Sequence, residues 1–172
     1  ILNVNWATLF NNNFSVTGNF PYNISSQILF KIYENRDRVD KMVGMFQKEV
    51  AERLCSGPGT KKYGILSVLI QAFYNVNYLF TVNEDAFDPP PKVKSGVVKI
   101  KRNNIKKLDC DEKLFFRVVK AVFNQRRKMA RNSLKAMFGD NKIDHLLLSK
   151  RPEQLSVNDF IELTKLLESK IK

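Results

Sequence analysis

Apolar positions along this chain follow one rhythm in the first half and another in the second. Phe14 to Gly18, FSVTG, is a short β-branched run bounded by polar residues and predicts a buried strand. The turn NFPYNIS follows, and Ser25 or Ser26 is placed to cap a helix whose apolar face is Ile28, Leu29, Ile32 and Tyr33. KMVGMF, Lys41 to Phe46, predicts a second strand. Val50 and Leu54 then mark an amphipathic helix that Gly57, Pro58 and Gly59 end. Alternation of strand and helix predicts parallel pairing. YGILSVLIQAFY, Tyr63 to Tyr74, predicts a largely apolar helix, and Asn77 to Val82 and Gly96 to Lys101 predict two strands bracketing the loop AFDPPPKVKS. Pro89, Pro90 and Pro91 stiffen that loop toward polyproline geometry, so it reads as a segment held in place and suited to carrying function.

From Asp111 onward the pattern is helical. Lys113, Arg117, Lys120, Asn124, Arg127, Arg131 and Lys135 recur at steps of three and four, one narrow stripe of a 3.6-residue period. Phe115, Val118, Val119, Val122 and Met129 fall opposite, and Arg126 lies toward that apolar side. A break near Asn124 and Gln125 would split the stripe between two helices. Gly139 and Asp140 read as a stop, and Ser156 with Asp159 starts a last helix, DFIELTKLL. The change of rhythm predicts two domains, an α/β part over residues 1–102 and a small all-α part over residues 103–172.

Charge sharpens that division. The 172 residues carry a formal net charge of +12. Residues 1–100 hold 11 Lys and Arg against 8 Asp and Glu, whereas residues 101–172 hold 18 against 9. No acid interrupts residues 113–139. Such a stripe is either a solvated helix face or a surface for phosphates, and the missing acidic partners with interleaved Asn and Gln favour phosphate. Cys55 and Cys110, without metal-ligand spacing, read as two reduced thiols, and a lone His145 leaves no basis for a histidine triad or zinc site. No long apolar run or leader is visible, so a cytoplasmic, membrane-free and monomeric protein is expected. The opening, Ile1, Leu2, Asn3, without Met, reads as that of a fragment.

The candidate chemistry lies in Asn19, Phe20, Pro21 and Tyr22. They stand at the carboxyl end of a predicted strand, where open α/β sheets bind ligands. Asn-x-Pro-aromatic suits methylation of an exocyclic amine. An adenine N6 lone pair is delocalised into its ring, and accepting both N–H groups with the Asn19 side-chain oxygen and the Phe20 carbonyl would localise it. Pro21 biases Phe20 to an extended backbone, and Tyr22 offers a flat face to an unstacked base. The plainer reading makes Asn19 a turn cap and Tyr22 a core ring.

Four stretches, GNFPYNIS (18–25), QKEVAERL (47–54), AFDPPPKVKS (86–95) and FNQRRKMARNSL (123–134), resemble the bacterial ribosomal RNA adenine dimethyltransferases of the KsgA type in content, order and spacing. The resemblance spans almost the whole chain. It implies the C-terminal half of a class I, Rossmann-like methyltransferase sheet followed by a helical RNA-binding domain. It also implies S-adenosylmethionine as methyl donor, the small-subunit rRNA or pre-30S particle as partner, and dimethylation of two adjacent adenosines in a hairpin loop near the rRNA 3′ end. By resemblance Asn19, Phe20, Pro21 and Tyr22 are the catalytic motif, with Phe where Leu is commoner, and Asn19 also touches the cofactor. Phe87 would clamp the target base against Tyr22, although its own surroundings in sequence read equally as core. Lys113, Arg117, Lys120, Arg127, Lys128, Arg131 and Lys135 are the RNA-contacting candidates. The family's Gly-rich loop, ribose-binding acid and adenine-side Asp have no counterpart here, so the chain is expected to be inactive alone. Two other readings compete: an RNA-binding assembly module without methyl transfer, and a DNA N6-adenine methyltransferase, against which FNQRRKMARNSL speaks.

Overall fold

The computed structural model describes residues 2–138 and 143–171. Contacts divide the chain into two units, one of residues 1–56 and 73–106, the other of residues 57–72 and 107–172. The later crossing, between residues 106 and 107, lies near the boundary expected after residue 102, and residues 57–72 group with the later helices. The reason is the helix Ile65–Gln71, whose apolar residues belong to the helical core.

The first unit is built on four strands, β1 (Phe14–Asn19), β2 (Val39–Gln47), β3 (Tyr74–Val82) and β4 (Ser95–Arg102), in the order β1-β2-β4-β3. β1 and β2 run parallel, as the alternation predicts, with α2 (Ser25–Glu34) between them, while β4 is antiparallel to both its neighbours. A short α1 (Trp6–Leu9) precedes β1. Residues in one register alternate between a covered and an open face. Met42, Phe46, Val98 and Ile100 are buried, together with Ile28, Leu29 and Ile32 of α2 and Ala51 and Leu54 of α3 (Lys48–Cys55). Lys41, Lys99 and Lys101 alternate with them and are exposed. β3 begins three residues earlier than expected. Tyr74 leaves the predicted helix because its ring is buried and its hydroxyl donates to the Val39 carbonyl at 2.9 Å.

The expected serine cap of α2 is absent. A 3-10 turn, Tyr22–Ile24, runs straight into the helix, so Ser25 has helical dihedrals and its hydroxyl bonds back to the Tyr22 and Pro21 carbonyls at 3.1 and 3.3 Å.

The second unit is helical: α4 (Ile65–Gln71), α5 (Glu112–Asn124), α6 (Ala130–Phe138) and α7 (Val157–Ile171). Leu66, Val68, Leu69 and Ile70 of α4 share this unit's core with Phe115, Val118 and Val122 of α5, Leu134 of α6, and Phe160, Leu163 and Leu167 of α7. Phe123 stacks on Phe160 with centroids 5.6 Å apart. Asp111 caps α5 by accepting from the Leu114 N–H at 2.7 Å. Ser156 and Asp159 form the expected reciprocal cap of α7, at 2.9 and 3.1 Å. The stop expected at Gly139 and Asp140 lies outside the described residues.

One contact controls the cleft end of the sheet. A Cβ at Gly44 would lie 2.5 Å from Phe20 Cε2 and 2.8 Å from Met42 Sδ, whereas one at Gly57 would meet nothing within 4 Å. Gly44→Ala is therefore expected to destabilise the fold by about 1–3 kcal/mol, the usual cost of overpacking, and Gly57→Ala to leave it unchanged or slightly firmer. Urea unfolding of both variants checks this. Equal midpoints would mean that the Phe20 ring yields freely.

Candidate base-binding cleft and basic surface

Asn19 is the last residue of β1, opposite Met45 of β2. Its side chain is exposed, and the next residue continues the ladder, the Phe20 N–H donating to the Met45 carbonyl at 3.2 Å. Strand alternation therefore sends Phe20 the other way. Its ring is only 5% exposed and stacks on Phe46 with centroids 5.2 Å apart. With the ring held in the core, the backbone carbonyl is the group Phe20 has left to offer. Pro21, with φ −57° and ψ 133°, turns the chain into the 3-10 segment that begins at Tyr22. The Tyr22 ring is half-buried, and its hydroxyl lies 2.6 Å from Ser95 Oγ.

The proline loop supplies the opposite wall. Phe87, half-buried, closes the turn Glu84–Ala86, its N–H donating to the Glu84 carbonyl at 3.3 Å. A cis peptide bond joins Asp88 and Pro89. Asn19, Phe20, Pro21, Tyr22, Phe87, Pro89 and Pro91 together line one cleft of about 320 Å³. That volume is at the small end of ligand sites, and the rings of Tyr22 and Phe87 with three prolines suit a flat heterocycle. The structure thus gathers all five sequence-selected cleft residues from two segments far apart in the chain. Ser95 was missed. A serine opening a strand carries no local mark, and only the fold shows it against Tyr22.

The basic stripe is broken. Gln125 has φ −118° and ψ 48°, which ends α5, and the Lys128 N–H donates to the Gln125 carbonyl at 2.7 Å in the turn that follows. Lys113, Arg117 and Lys120 sit on α5, Arg127 and Lys128 in the turn, and Arg131 and Lys135 on α6; all seven are exposed. The expected single line becomes two helical patches joined by a basic turn. The break also takes Met129 out of the apolar face, where it was expected, and leaves it 50% exposed. Arg131 has an exposed acidic neighbour, Asp144, at 3.8 Å, a contact worth little in water. Arg126 is different: its guanidinium donates to the Lys61 and Thr60 carbonyls at 2.6 and 3.3 Å.

The histidine has structural partners. His145 accepts from the Leu147 N–H at 3.3 Å and lies 3.1 Å from Glu162. Among the described residues no set of acids, Cys and His is arranged for a metal, and no helix is long and apolar enough to cross a membrane. Cys55 and Cys110 are free thiols, and burial pushes each up to about 11; Glu168 and Glu112 add to the effect at Cys110.

The mixed α/β sheet with helices packed on it is shared with solved rRNA methyltransferases of Rossmann-like fold, and that likeness gives the class. The sequence profile of the family described as Ribosomal RNA adenine dimethylase matches residues 4–169, and the chain belongs to that family. It is 60% identical over 161 residues to the Ribosomal RNA small subunit methyltransferase A of Bacteroides thetaiotaomicron, covering 92% of this chain and 60% of that protein. The like-named protein of Flavobacterium johnsoniae is 58% identical over 160 residues, covering 92% and 61%. The chain thus spans about three fifths of the length of these curated relatives. The crystal structure of a dimethyladenosine transferase from Plasmodium falciparum superimposes with a TM-score of 0.76 at 26% identity, over 94% of this chain and 69% of that one. The 23S rRNA methyltransferase ErmE shares the fold, with a TM-score of 0.62 at 20% identity over 91% and 67%.

Raised thiol pKa values carry a sign that can be checked. The folded chain keeps both thiol protons to about pH 11, while the unfolded chain releases them near the ordinary value of 9.0. The contribution to stability is full below pH 9 and lost as pH rises toward 11. At pH 8, iodoacetamide should alkylate the folded chain far more slowly than the urea-unfolded chain. Equal rates would contradict the burial.

Proposed function

We propose that this chain supplies the base-holding and RNA-docking parts of an S-adenosylmethionine-dependent rRNA adenine N6,N6-dimethyltransferase. It acts within a longer polypeptide on two adjacent adenosines of a hairpin loop near the 3′ end of small-subunit rRNA. The reading is supported above all by the convergence of Asn19, Phe20, Pro21, Tyr22 and Phe87 on one cleft at the carboxyl end of β1. The names and lengths of the relatives support it from outside.

In the mechanism the target adenine leaves its stack and lies between Tyr22 and Phe87, where ring contact offsets the cost of unstacking. The Asn19 side-chain oxygen and the Phe20 carbonyl accept the two N6–H bonds. This draws the nitrogen out of conjugation and turns its lone pair toward the donor. The geometry becomes tighter as N6 forms its new bond, so these two acceptors favour the transition state over the ground state. S-adenosylmethionine, when bound, supplies an electrophilic methyl group. Asn19 is the residue of this chain that would touch it. The chain fits the donor in that one respect; among the described residues the glycines form no nucleotide-cradling loop. Forming the N6–C bond would break the donor's S–C bond, and the surplus N6 proton would pass to water; one N–H then remains, which either acceptor can hold for the second transfer.

The exposed cations of α5, the Gln125–Lys128 turn and α6 are assigned to rRNA phosphates. Phosphate contacts set position and base contacts set identity. Arg127 and Arg131 are assigned the larger share, because a guanidinium fork grips two phosphate oxygens at once.

Two measurements test the proposal. In the full-length protein carrying this chain, Asn19→Ala should lower the single-turnover methylation rate by roughly a hundredfold or more, the scale of losing one preorganised transition-state group. RNA affinity should barely change; unaltered turnover with weakened RNA binding would reduce Asn19 to a turn residue. In filter binding to substrate rRNA across a salt series, Arg127→Gln and Arg131→Gln should each flatten the log–log slope by about 0.7–0.9, one phosphate's worth of counterions. Arg126→Gln should keep the slope and lower the melting temperature instead, as its carbonyl contacts require. Parallel slopes in all the variants would return the basic surface to a solvated face.

A further inference from the structure

Ser95 opens β4, an interior strand of the sheet, with its side chain fully buried and its backbone in register with Gln47 of β2 and Val82 of β3. A buried hydroxyl is costly unless it is hydrogen-bonded. Here its partner is the Tyr22 hydroxyl at 2.6 Å, across 73 positions of sequence. The contact joins the two walls of the cleft. Tyr22 belongs to the wall formed by the Asn-Phe-Pro-Tyr turn, and Ser95 is where the loop carrying Phe87, Pro89 and Pro91 re-enters the sheet. One residue earlier, the Lys94 carbonyl accepts from the Lys48 N–H at 2.9 Å, so the root of that loop is fastened on both sides of the chain.

We propose that Ser95 is a positioning residue of the cleft, fixing the plane of the Tyr22 ring so that an extruded base meets a preset face. The inference rests on the base-holding reading given above. Tyr22 sits in a three-residue turn at the surface, and its half-buried ring would otherwise be free to swing toward solvent. A hydrogen bond at the far end of the ring, to a strand held on both edges, removes that freedom before the base arrives. The ordering cost is thereby met during folding instead of at binding. Because Tyr22 is half-exposed, water can replace Ser95 at its hydroxyl. Loss of the bond should therefore disturb ring orientation much more than stability.

The test compares wild type, Ser95→Ala, Tyr22→Phe and the double variant by two independent readouts. The first is the order of the Tyr22 ring from NMR relaxation of carbon-13-labelled tyrosine, its signal identified by its absence in Tyr22→Phe. The second is quenching of 2-aminopurine placed at the target adenine in the hairpin loop of substrate RNA. Ser95→Ala should lower ring order while the melting temperature stays within a degree or two, the scale of a few tenths of a kcal/mol. Ser95→Ala and Tyr22→Phe should each weaken stacking about three- to tenfold, the worth of one net hydrogen bond, and the double variant should be no weaker than either single one. Unchanged ring order in Ser95→Ala, or additive losses in the double variant, would overturn the proposal. If ring order falls in Ser95→Ala but wild type fails to quench, the positioning contact stands and the base-holding reading falls. If wild type and Ser95→Ala quench equally, the role of Ser95 falls alone.

Discussion

The Phe20 ring occupies space that exists only because position 44 of the neighbouring strand has no side chain. Ring and strand meet so closely that a methyl group would collide. Stacked on Phe46 and shut away from water, the ring anchors the end of β1 from beneath. The geometry of the cleft follows from that anchor. Asn19 is turned to the opposite face by strand alternation, Pro21 sets the exit direction, and Tyr22 begins a turn whose start is already located. A residue that contributes no side-chain atom to the proposed chemistry therefore determines where the chemistry can occur. It also leaves the identity of the side chain open to exchange: Phe or Leu would each fill an apolar space, and the carbonyl is common to both.

The second wall is stiffened differently. Its prolines restrict the loop locally, the turn before it is closed by the Phe87 N–H, and β4 receives it at a buried position. Two walls with separate anchors suit a site in which a planar ring must enter from the side and stay parallel to its neighbours. The basic surface obeys a looser requirement. Long cationic side chains reach phosphates from many starting points, so a helix that breaks at Gln125 can still present charge on both sides of the break. A continuous helical line was never physically necessary.

Much of this was legible in the residues themselves. Strands β1 and β4 declare themselves by β-branched residues, β2 by the apolar run KMVGMF, the Ser156–Asp159 cap by its spacing, and the cleft motif by an amide, a proline and a ring at a strand end. Elements decided by distant partners were less visible. Tyr74 follows an apolar helix and looks like part of it, but a hydroxyl bond to Val39 draws it into β3. Ser25 has the side chain of a cap, yet the preceding 3-10 turn leaves it inside the helix. Met129 fits the apolar face only if α5 continues past Gln125. The grouping of residues 57–72 with the later helices depends on core partners at least 40 positions downstream, beyond the reach of any local pattern.

That discontinuous grouping has a consequence for the order in which the chain can acquire structure during synthesis. α4 is complete at Gln71, whereas α5, which packs with it, does not begin until Glu112. At roughly 5–20 residues per second, the apolar face of Leu66, Val68, Leu69 and Ile70 waits several seconds outside the ribosome before its first partner is made. It waits longer still for Phe160 and Leu163 of α7. The strands β3 and β4 emerge during that interval, so the sheet can close while α4 is still unpartnered. The helical unit thus begins before β3 and β4 are made and is completed after them, which leaves a seven-residue apolar helix in need of protection in the nascent chain.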